Sequence, residues 1–530
     1  MKLALSLSQN KEASANILDY VKMKKVILTS LLAITLHAFA QSPDLGRGIS
    51  YSIEMSGTLS DGEHAPFWLT ANQYGVPSVE RNSAYIRGGV FRSAENDSAR
   101  HWDIGYGADL AVPFNHTSDF FVQQLYADVR WLKGTLTVGQ KQQPMQLKNN
   151  ELSSGSQTLC INGRPYPEMR LALPDYWDIP YTKGFLGFKG HIAFGMLTDN
   201  HFQKNFVRGK SHYDQDVLMH TKAIYLRFGK KEKPFNVEAG LEMASQFGGT
   251  HYERVKDGYQ QIKSKHDIKS FWHAMIGGGS DATDGSVKNT EGNMLGSWVL
   301  RLNYDTKAAR YGLYADHFFE DHSAMFHLNY DGYAYENGKM KKKDNRYIVY
   351  PLKDIMLGMD IHLKNFQWVT DAVVEYVYTR YQSGPIYSDR NPYVTTQIAG
   401  VDNYYNNSLK PGWQYWGQTL GNPLYRSPIY NESHRLMFEC NRFTAWHMGI
   451  AGQPTKDLHY RIRASWQEGL GTYDLPYCNP KRNVSVGLEA CYNASNLIYK
   501  GLRIGAAFGF DRGELMGNNT GGMLTLRFER

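Results

Sequence analysis

VSVGLEACY (residues 484–492), LRIGAAFGF (502–510) and LTLRF (524–528) share one pattern, in which every second residue is apolar and its neighbours are polar or small. Successive side chains of a β-strand point to opposite faces, so each stretch predicts a strand with one apolar and one polar face. The same two-residue period recurs at 101–112, 124–131, 236–243 and 459–466. From about residue 83 onward, the sequence predicts an all-β fold of roughly 16 to 20 strands.

A water-soluble β-sandwich would show the same alternation, so the pattern alone leaves two architectures open. The polar faces carry charged residues beside glycine, for example Arg461 and Arg463, which suits a wet lumen. Several apolar stripes end in an aromatic residue such as Trp131, as expected where a barrel wall meets the membrane surface. A strand set in lipid must also close on itself, because an open edge leaves backbone groups unsatisfied. These features favour a closed antiparallel transmembrane β-barrel.

The bulk composition agrees with a barrel and excludes a helical membrane bundle. The chain has 530 residues, of which 42% are hydrophobic, and its mean hydropathy is -0.49. Transmembrane helices need runs of about 20 apolar residues, and the body of the chain has none. A barrel needs no such run, since lipid-facing and lumen-facing residues alternate along each strand.

Residues 1–40 have the features of an export signal. Lys24 and Lys25 precede the apolar stretch 26–36, and the small-x-small sequence 38–40 follows. This pattern predicts a secretory signal peptide cleaved before Gln41. A buried helix or membrane anchor is the alternative, although the stretch is short for spanning a bilayer. Met23 is a second possible start, which would make 1–22 an upstream extension. We expect 41–530 to form one domain in the outer membrane of a Gram-negative bacterium.

Charge and cysteine usage exclude several classes of partner. The formal net charge is +7, and residues 1–40 carry five lysines against Glu12 and Asp19, which leaves the remainder near +4. Without a Lys/Arg-rich run, this charge does not indicate nucleic acid binding. The four cysteines, at 160, 440, 478 and 491, show no metal-ligand spacing, so we expect neither metal nor cofactor. One pair could oxidise after export, but the spacing does not select it.

Two long stretches interrupt the alternation. Residues 141–183 contain Pro165, Pro167, Pro174 and Pro180, and proline removes a donor from a β-ladder. Residues 382–431 are rich in Tyr, Asn, Gly and Trp. Long irregular stretches inside a compact domain are usually functional. We therefore expect 141–183 and 382–431 to be plug or long-loop segments that occlude the barrel.

An ordered set of short motifs carries a resemblance to a known family. They are PFWLTANQYG (66–75), NELSSG (150–155), QFGG (246–249), GNMLGSW (292–298), HFFED (317–321), QSGP (382–385), DNYYNN (402–407), GWQY (412–415) and GNPL (421–424). With these motifs the chain resembles the Wzi family of capsule-assembly outer-membrane proteins. The resemblance implies a barrel of about 18 strands, occluded rather than open, that acts as a lectin for capsular polysaccharide. That family also has a helical element at the periplasmic end, whereas residues 41–82 show no amphipathic helical bundle.

Residues 402–416 contain the side-chain types that bind sugars. Amides and carboxylates satisfy sugar hydroxyls, and aromatic rings stack on pyranose faces. The candidate polysaccharide-binding residues are Asp402, Asn403, Tyr404, Tyr405, Asn406, Trp413, Tyr415 and Trp416. The alternative is that these residues cap turns and pack a plug. The expected partners are capsular or other surface polysaccharide and outer-membrane lipid, and we expect a monomer.

Two other functions compete with the lectin hypothesis. The first is a diffusion channel for saccharides. The second is an outer-membrane hydrolase, because Glu238, Glu242, Asp371 and Glu375 fall on polar faces and paired carboxylates can hydrolyse glycosides. Lumen carboxylates are common in barrels, and no G-x-S-x-G nucleophile motif is present. The cluster from His317 to His322 places neighbours on opposite faces of a strand, which favours a rim network over catalysis. We expect the chain not to be an enzyme.

Overall fold

A computed structural model describes most of the chain after the predicted signal peptide. The described residues are 44–94, 101–277, 283–284, 287–288, 292–320, 333–336, 339–342, 353–382, 387–389, 397–399, 401–408 and 410–530. The signal peptide predicted for 1–40, the last two residues of the cluster 317–322 and part of the 382–431 segment lie outside these residues.

Eighteen antiparallel strands form one sheet. We number them β1 to β18 in chain order: Ile49–Asp61, Asn82–Arg92, Trp102–Phe114, Phe121–Trp131, Gly134–Gln140, Pro167–Asp178, Leu186–Leu197, Val217–Phe228, Phe235–Phe247, Asn293–Asp305, Ala309–Glu320, Ile355–Leu363, Asp371–Tyr378, Phe443–Gly452, Leu458–Gly471, Pro476–Asn493, Leu502–Gly513 and Asn519–Glu529.

The sheet closes on itself. Each strand pairs with the next one in the sequence, and β1 pairs with β18 from Ser52 opposite Glu529 to Asp61 opposite Thr520. Closure gives every strand two neighbours and leaves no open edge. The predicted fold class, a closed antiparallel β-barrel of about 18 strands, is confirmed.

The two faces of the wall have the reverse of the polarity found in a water-soluble protein. On β1, Ile53 and Met55 are 54% and 48% exposed, whereas Glu54 between them is 7% exposed. On β3, Val112 is 60% exposed and Asp109 is 5% exposed. Large contiguous apolar surfaces on the outside of a protein mark contact with a partner or a membrane. This arrangement favours the barrel over the sandwich, since apolar side chains face outward and charged ones face the lumen.

Connections alternate between two ends of the barrel. The end that holds both termini has short turns, such as 132–133 and 306–308, and we call it the turn end. The opposite end has long connections, including 141–166, 248–292 and 379–442, and we call it the loop end. In outer-membrane barrels the short turns are periplasmic and the long loops extracellular.

Exposed aromatic side chains collect at two levels of the outer wall. Near the turn end these are Trp131, Trp177, Tyr304, Tyr311 and Trp368, and nearer the loop end they are Phe114, Trp298, Trp446 and Trp466. Tyr and Trp prefer membrane interfaces because their rings are apolar and carry one polar group. The two levels bracket an apolar band, as in barrels that sit in a bilayer.

The described parts of the connections contain three short helices and several small sheets. The helices are α1 (Phe67–Thr70), α2 (Phe202–Val207) and α3 (Ile268–Ile276), and Pro428–Tyr430 forms a 3₁₀ turn. Tyr213–Gln215, Thr250–Val255 and Gly258–Lys263 form a three-stranded sheet. Two-stranded hairpins join Thr283–Asp284 to Val287–Lys288, Tyr333–Glu336 to Lys339–Lys342, Tyr387–Asp389 to Gln397–Ala399, and Gln414–Tyr415 to Gln418–Thr419. Among the residues described, no helix combines the length and apolarity needed to cross a bilayer.

Two predictions about the strands are wrong. The alternation begins with β1 at residue 49, not at about residue 83. Residues 167–178 were expected to lie in a loop segment, but they form β6. The prolines are tolerated because Pro167 is the first residue of the strand and Pro174 lies where the register shifts between Leu173 and Trp177. At these two positions no ladder donor is required.

Candidate functional site

Three connections from the loop end fold into the barrel. They are 62–81, 141–166 and 401–442 without residue 409, and we call them together the plug. Their buried apolar side chains form one cluster with lumen-facing side chains of the wall, such as Phe318 and Tyr314. The plug members of this cluster include Phe67, Trp68, Tyr404, Tyr405, Trp413, Tyr415, Leu420, Tyr425 and Phe438. Residues 141–166 and the described part of 401–431, which fall within the stretches predicted to be plug or long-loop segments, contribute to this cluster.

Glu375 on β13 anchors the plug to the wall. This side chain is fully buried, and its carboxylate accepts hydrogen bonds from Ser153 Oγ at 2.6 Å and from the Ser154 backbone nitrogen at 2.8 Å. Tyr314 on β11 donates a third, at 2.5 Å. Burying a carboxylate costs free energy unless the carboxylate is hydrogen-bonded. Here its two oxygens accept hydrogen bonds from backbone and hydroxyl groups of an irregular segment. The Glu375 carboxylate therefore holds the plug against the wall, which is a structural role for a group that could otherwise suggest glycoside hydrolysis.

Arg463 on β15 holds α1. Its buried guanidinium donates to the Trp68 carbonyl oxygen and to the Glu489 carboxylate, both at 2.7 Å, and its Cζ lies 4.7 Å from the Trp68 ring centroid. Gly487 on the neighbouring strand allows this close approach, since a Cβ there would lie 2.6 Å from the Trp68 Cβ. The wall and α1 thus fit together at a position where only glycine is small enough.

Two acidic side chains of the wall make equivalent contacts. Asp316 Oδ2 lies 2.7 Å from Lys148 Nζ and accepts from the Gln157 nitrogen at 3.2 Å, with both charged side chains buried. Asp511 accepts from the Phe67 nitrogen at 3.0 Å. Removing one partner of a buried ion pair is strongly destabilising, so these contacts fix the plug in one position. The sequence predicts a charged lumen face. The loop-side part of that face is the surface against which the plug packs.

Four of the eight predicted binding residues are buried inside the plug. Tyr404, Tyr405 and Trp413 are inaccessible to solvent and Tyr415 is 4% exposed. Their polar atoms are used internally: Trp413 Nε1 donates to the Thr158 carbonyl at 2.8 Å and Tyr415 OH to the Thr198 carbonyl at 2.8 Å. Rings buried in this way cannot stack on a sugar in this conformation.

The other four predicted residues are partly exposed. Asn403 Nδ2 donates to Asp474 Oδ2 at 3.2 Å, and Asn406 Nδ2 donates to the Phe438 carbonyl at 3.0 Å. Asp402 belongs to the same turn, which places all three near the loop end. Trp416 lies apart from them, with its ring 4.7 Å from Arg164 Cζ. The structure therefore divides the predicted set into a buried core and a partly exposed edge.

An open cavity of about 460 Å³ lies on the turn side of the plug and is strongly charged. We call it the inner cavity. Its wall carries Arg87, Arg461, Arg503, Arg527, Glu54 and Glu489, and Gln73, Tyr74, Gln142 and Glu151 of the plug also line it. The plug thus borders this cavity and fills the lumen on the side of the loops.

A second open cavity, of about 690 Å³, lies at the loop end, and we call it the outer cavity. Its volume is within the range of small-molecule sites. The lining comes from the connection after β1, the segment 426–439, the start of β16 and the connection before β18. Its charged and aromatic members are Glu63, His64, Arg426, Glu432, Glu439, Tyr477, Lys481 and Glu514.

The outer cavity is built around Arg426. This side chain donates to the Leu515 carbonyl at 2.8 Å and to Asn431 Oδ1 at 2.7 Å, and lies 3.5 Å from the Glu439 carboxylate. Ser433 Oγ donates to the same Glu439 carboxylate at 3.0 Å. Burial, together with the positive charge of Arg426, lowers the pKa of His64 below its ordinary value. Four glutamates against Arg426 and Lys481 give the lining an acidic balance.

Carboxylates and one half-buried tyrosine suit a ligand rich in hydroxyl groups. Carboxylate oxygens accept hydrogen bonds from hydroxyls, and the Tyr477 ring offers an apolar surface. Asn406 connects the predicted segment to this cavity, since its partner Phe438 directly precedes Glu439. Sequence reasoning missed the cavity because its residues come from three separate connections and the start of one strand, and none belongs to a recognisable motif.

The described part of the chain was compared with the ligand groupings of metal sites and disulfides. There, no group of three His, Cys, Asp or Glu side chains could hold a metal ion. All four cysteines are free, with Cys440 buried and Cys478 exposed.

Comparisons with known proteins support the fold. The chain is similar to Wzi of Escherichia coli, an outer-membrane protein involved in group 1 capsule assembly and characterised as a carbohydrate-binding β-barrel: the TM-score is 0.50 at 12% identity, over 90% of this chain and 84% of that one. It also matches OpdL of Pseudomonas aeruginosa (TM-score 0.44, 9% identity, 91% and 98% covered) and OccAB4 of Acinetobacter baumannii (0.42, 7%, 92% and 100%). No protein-family model and no curated protein sequence matched. At these identities, the likeness to Wzi establishes the outer-membrane type of barrel and nothing finer.

Proposed function

We propose that this protein is a non-enzymatic outer-membrane barrel that binds polysaccharide at its loop end and holds it at the cell surface. The observation that carries the proposal is the outer cavity, an open site of about 690 Å³ above a lumen filled by the plug. The binding surface then faces the medium, and the partly exposed edge of the predicted set, Asp402, Asn403 and Asn406, extends it. The resemblance to Wzi proteins is consistent with capsule as the polymer.

The charge of the outer cavity narrows the class of polymer. Four carboxylates line it against Arg426 and Lys481, so a polymer rich in uronic acids would meet like charge. We infer that the preferred ligand is a neutral or amino-sugar-containing polysaccharide, whose hydroxyl and ammonium groups donate to carboxylates.

A direct binding experiment tests the site. Purified barrel in detergent is run through gels that contain either a neutral polysaccharide or a polyuronate, and retardation is measured. The double variant Glu432→Gln/Glu514→Gln should lose binding to the neutral polymer by about tenfold or more, because hydrogen bonds to charged groups contribute about 1.5–3 kcal/mol each. Glu232→Gln is the matched control, since Glu232 is exposed in the turn 229–234 at the opposite end.

Unchanged binding in the double variant would place the site elsewhere. Stronger binding of the polyuronate than of the neutral polymer would contradict the inferred ligand class. Because both substitutions remove surface carboxylates without changing side-chain size, a loss of folding is not expected.

A diffusion channel for saccharides is the principal rival. The inner cavity would serve a channel as a charged entrance on the turn side. The plug, which Glu375, Arg463 and Asp316 hold in place, argues against a channel because it blocks the lumen. In a planar bilayer the occluded barrel should show almost no steady conductance. Regular single-channel openings by the unmodified protein would favour the channel. Turnover of glycan or lipid by the purified protein would instead favour a hydrolase.

A further inference from the structure

Helix α3 lies against the outside of the barrel. The ring of Phe271 packs 5.3 Å from that of Phe194 on β7 and 5.1 Å from that of Phe247 on β9. Lys222 Nζ on β8 donates to the Met275 carbonyl at the end of the helix. Glu242 of β9 and Tyr225 of β8 bond to each other on the lumen side. Phe247 on β9 and Lys222 on β8 lie an odd number of positions away from them, so their side chains face outward. The connection after β9 therefore folds back over the lipid-facing wall.

The side of α3 that faces away from the barrel is apolar. Ile268, Trp272 and Ile276 are 90%, 55% and 53% exposed, whereas Ser270, His273 and Ala274 are buried. Residues four apart share one face of a helix, so the three large side chains form a continuous stripe. In water, such a stripe would be an unfavourable apolar surface.

Helix α3 lies on the loop side of the apolar band. A Cβ at Gly277, which ends the helix, would lie 2.9 Å from Met294 Sδ, so the helix ends beside Met294 of β10. On the same strand, Tyr304 belongs to the turn-side aromatic level. Trp298 of the loop-side level lies between them, and the four residues from Trp298 to Met294 span about 10 Å in height at a tilt near 40°. Helix α3 thus lies where the headgroups of the outer leaflet begin.

Basic residues flank the stripe. Lys263, Lys265 and Lys269 are exposed beside the helix. The one acidic residue between them, Asp267, caps the helix by accepting from the Ser270 nitrogen at 2.9 Å and its hydroxyl at 3.1 Å. The local balance is therefore positive, in contrast to the acidic outer cavity.

From this geometry we propose that α3 is an interfacial anchor that binds a phosphate-bearing glycolipid of the outer leaflet. The apolar stripe contacts acyl chains, continuing the lipid-facing surface of the wall, and Lys263 and Lys265 pair with headgroup phosphates. An apolar face, a flanking basic face and a position in the interfacial plane are the features of membrane-surface helices. The proposal depends on the barrel lying in a bilayer, but not on polysaccharide binding.

Two measurements on the full-length purified protein test the anchor. The protein is reconstituted in phosphatidylcholine vesicles with and without lipid A, and with lipids brominated at the acyl chain. Subtracting the fluorescence of Trp272→Phe isolates Trp272, which should be quenched by bromine. Retention of lipid A should fall by about 30-fold in Lys263→Gln/Lys265→Gln, at about fivefold per lysine near an anionic surface. Lys456→Gln/Lys500→Gln, two exposed lysines at the turn end, should retain it.

Three results would overturn the proposal. They are a Trp272 that bromine does not quench, equal lipid A retention by both double variants, and a dimer in detergent that Ile268→Ser/Trp272→Ser converts to monomer. The last result would assign the stripe to a second copy of the chain. Since none of these substitutions touches the outer cavity, polysaccharide binding should be unchanged in all of them, which separates this proposal from the proposed function.

Discussion

The segment 402–416 and the outer cavity lie side by side at the loop end, yet they use polar and aromatic residues in opposite ways. In 402–416, Tyr405 and Trp413 are buried and their polar atoms bond to plug backbone. Around the outer cavity, Glu432 and Glu514 are exposed and carry uncompensated negative charge. The first region resembles a protein core and the second resembles a recognition surface. Richness in Tyr, Trp and Asn therefore does not by itself identify a sugar site, because the same residues also build a plug.

The largest expected effect comes from breaking the core-like region. Trp413→Ala should lower the free energy of unfolding by about 3–5 kcal/mol, since it removes a buried ring and leaves a cavity. The Thr158 carbonyl also loses its donor. The measurement is the temperature at which the barrel loses its faster migration in unheated gels. Trp416→Ala, at a partly exposed position three residues away in a two-residue hairpin turn, should cost less.

A Trp413→Ala barrel could melt like the unmodified one but no longer bind polysaccharide. That result would contradict the assignment of 402–416 to the core and of the outer cavity to recognition. It would make 402–416 the recognition surface after all.

The next effect concerns the contact between plug and wall. Glu375→Ala removes the acceptor for Ser153, Ser154 and Tyr314, and each buried donor left unsatisfied costs about 1–3 kcal/mol. We expect the segment 141–166 to loosen and the barrel to conduct. Planar-bilayer recordings check this, with Glu238→Ala as a lumen control that leaves the plug contacts in place. If neither variant conducts, Glu375 is not what holds the lumen closed.

The smallest effect is a pH dependence confined to the outer cavity. The pKa of His64 is lowered in the folded protein, so the fold favours the neutral imidazole. The stability that this gives the fold is present above the ordinary pKa of 6.5 and is lost as the pH falls below that value. Protection of the backbone amides of 62–66 against hydrogen exchange, corrected for intrinsic rates, should therefore fall in acid. His64→Gln should abolish the dependence. A parallel loss of protection in 402–416 would show that the two regions are not independent.

The barrel could be predicted from sequence because alternation is written along each strand. Val484 to Tyr492 shows this, since its apolar residues face outward and Glu489 faces the lumen. The failures have physical causes. Proline at 167 and 174 suggested a loop, but a strand start and a register shift need no donor. The outer cavity could not be predicted, since it forms only when residues as distant as Glu63 and Glu514 meet.

The pairing of β1 with β18 has a consequence for how the chain can be made. From Ser52 opposite Glu529 to Asp61 opposite Thr520, the seam joins the earliest strand to the latest. Until the final eleven-residue strand arrives, two edges with unsatisfied backbone groups remain, and neither can enter lipid favourably. Insertion into the membrane therefore requires the last strand. A barrel truncated before residue 519 would be degraded by proteases instead of inserting.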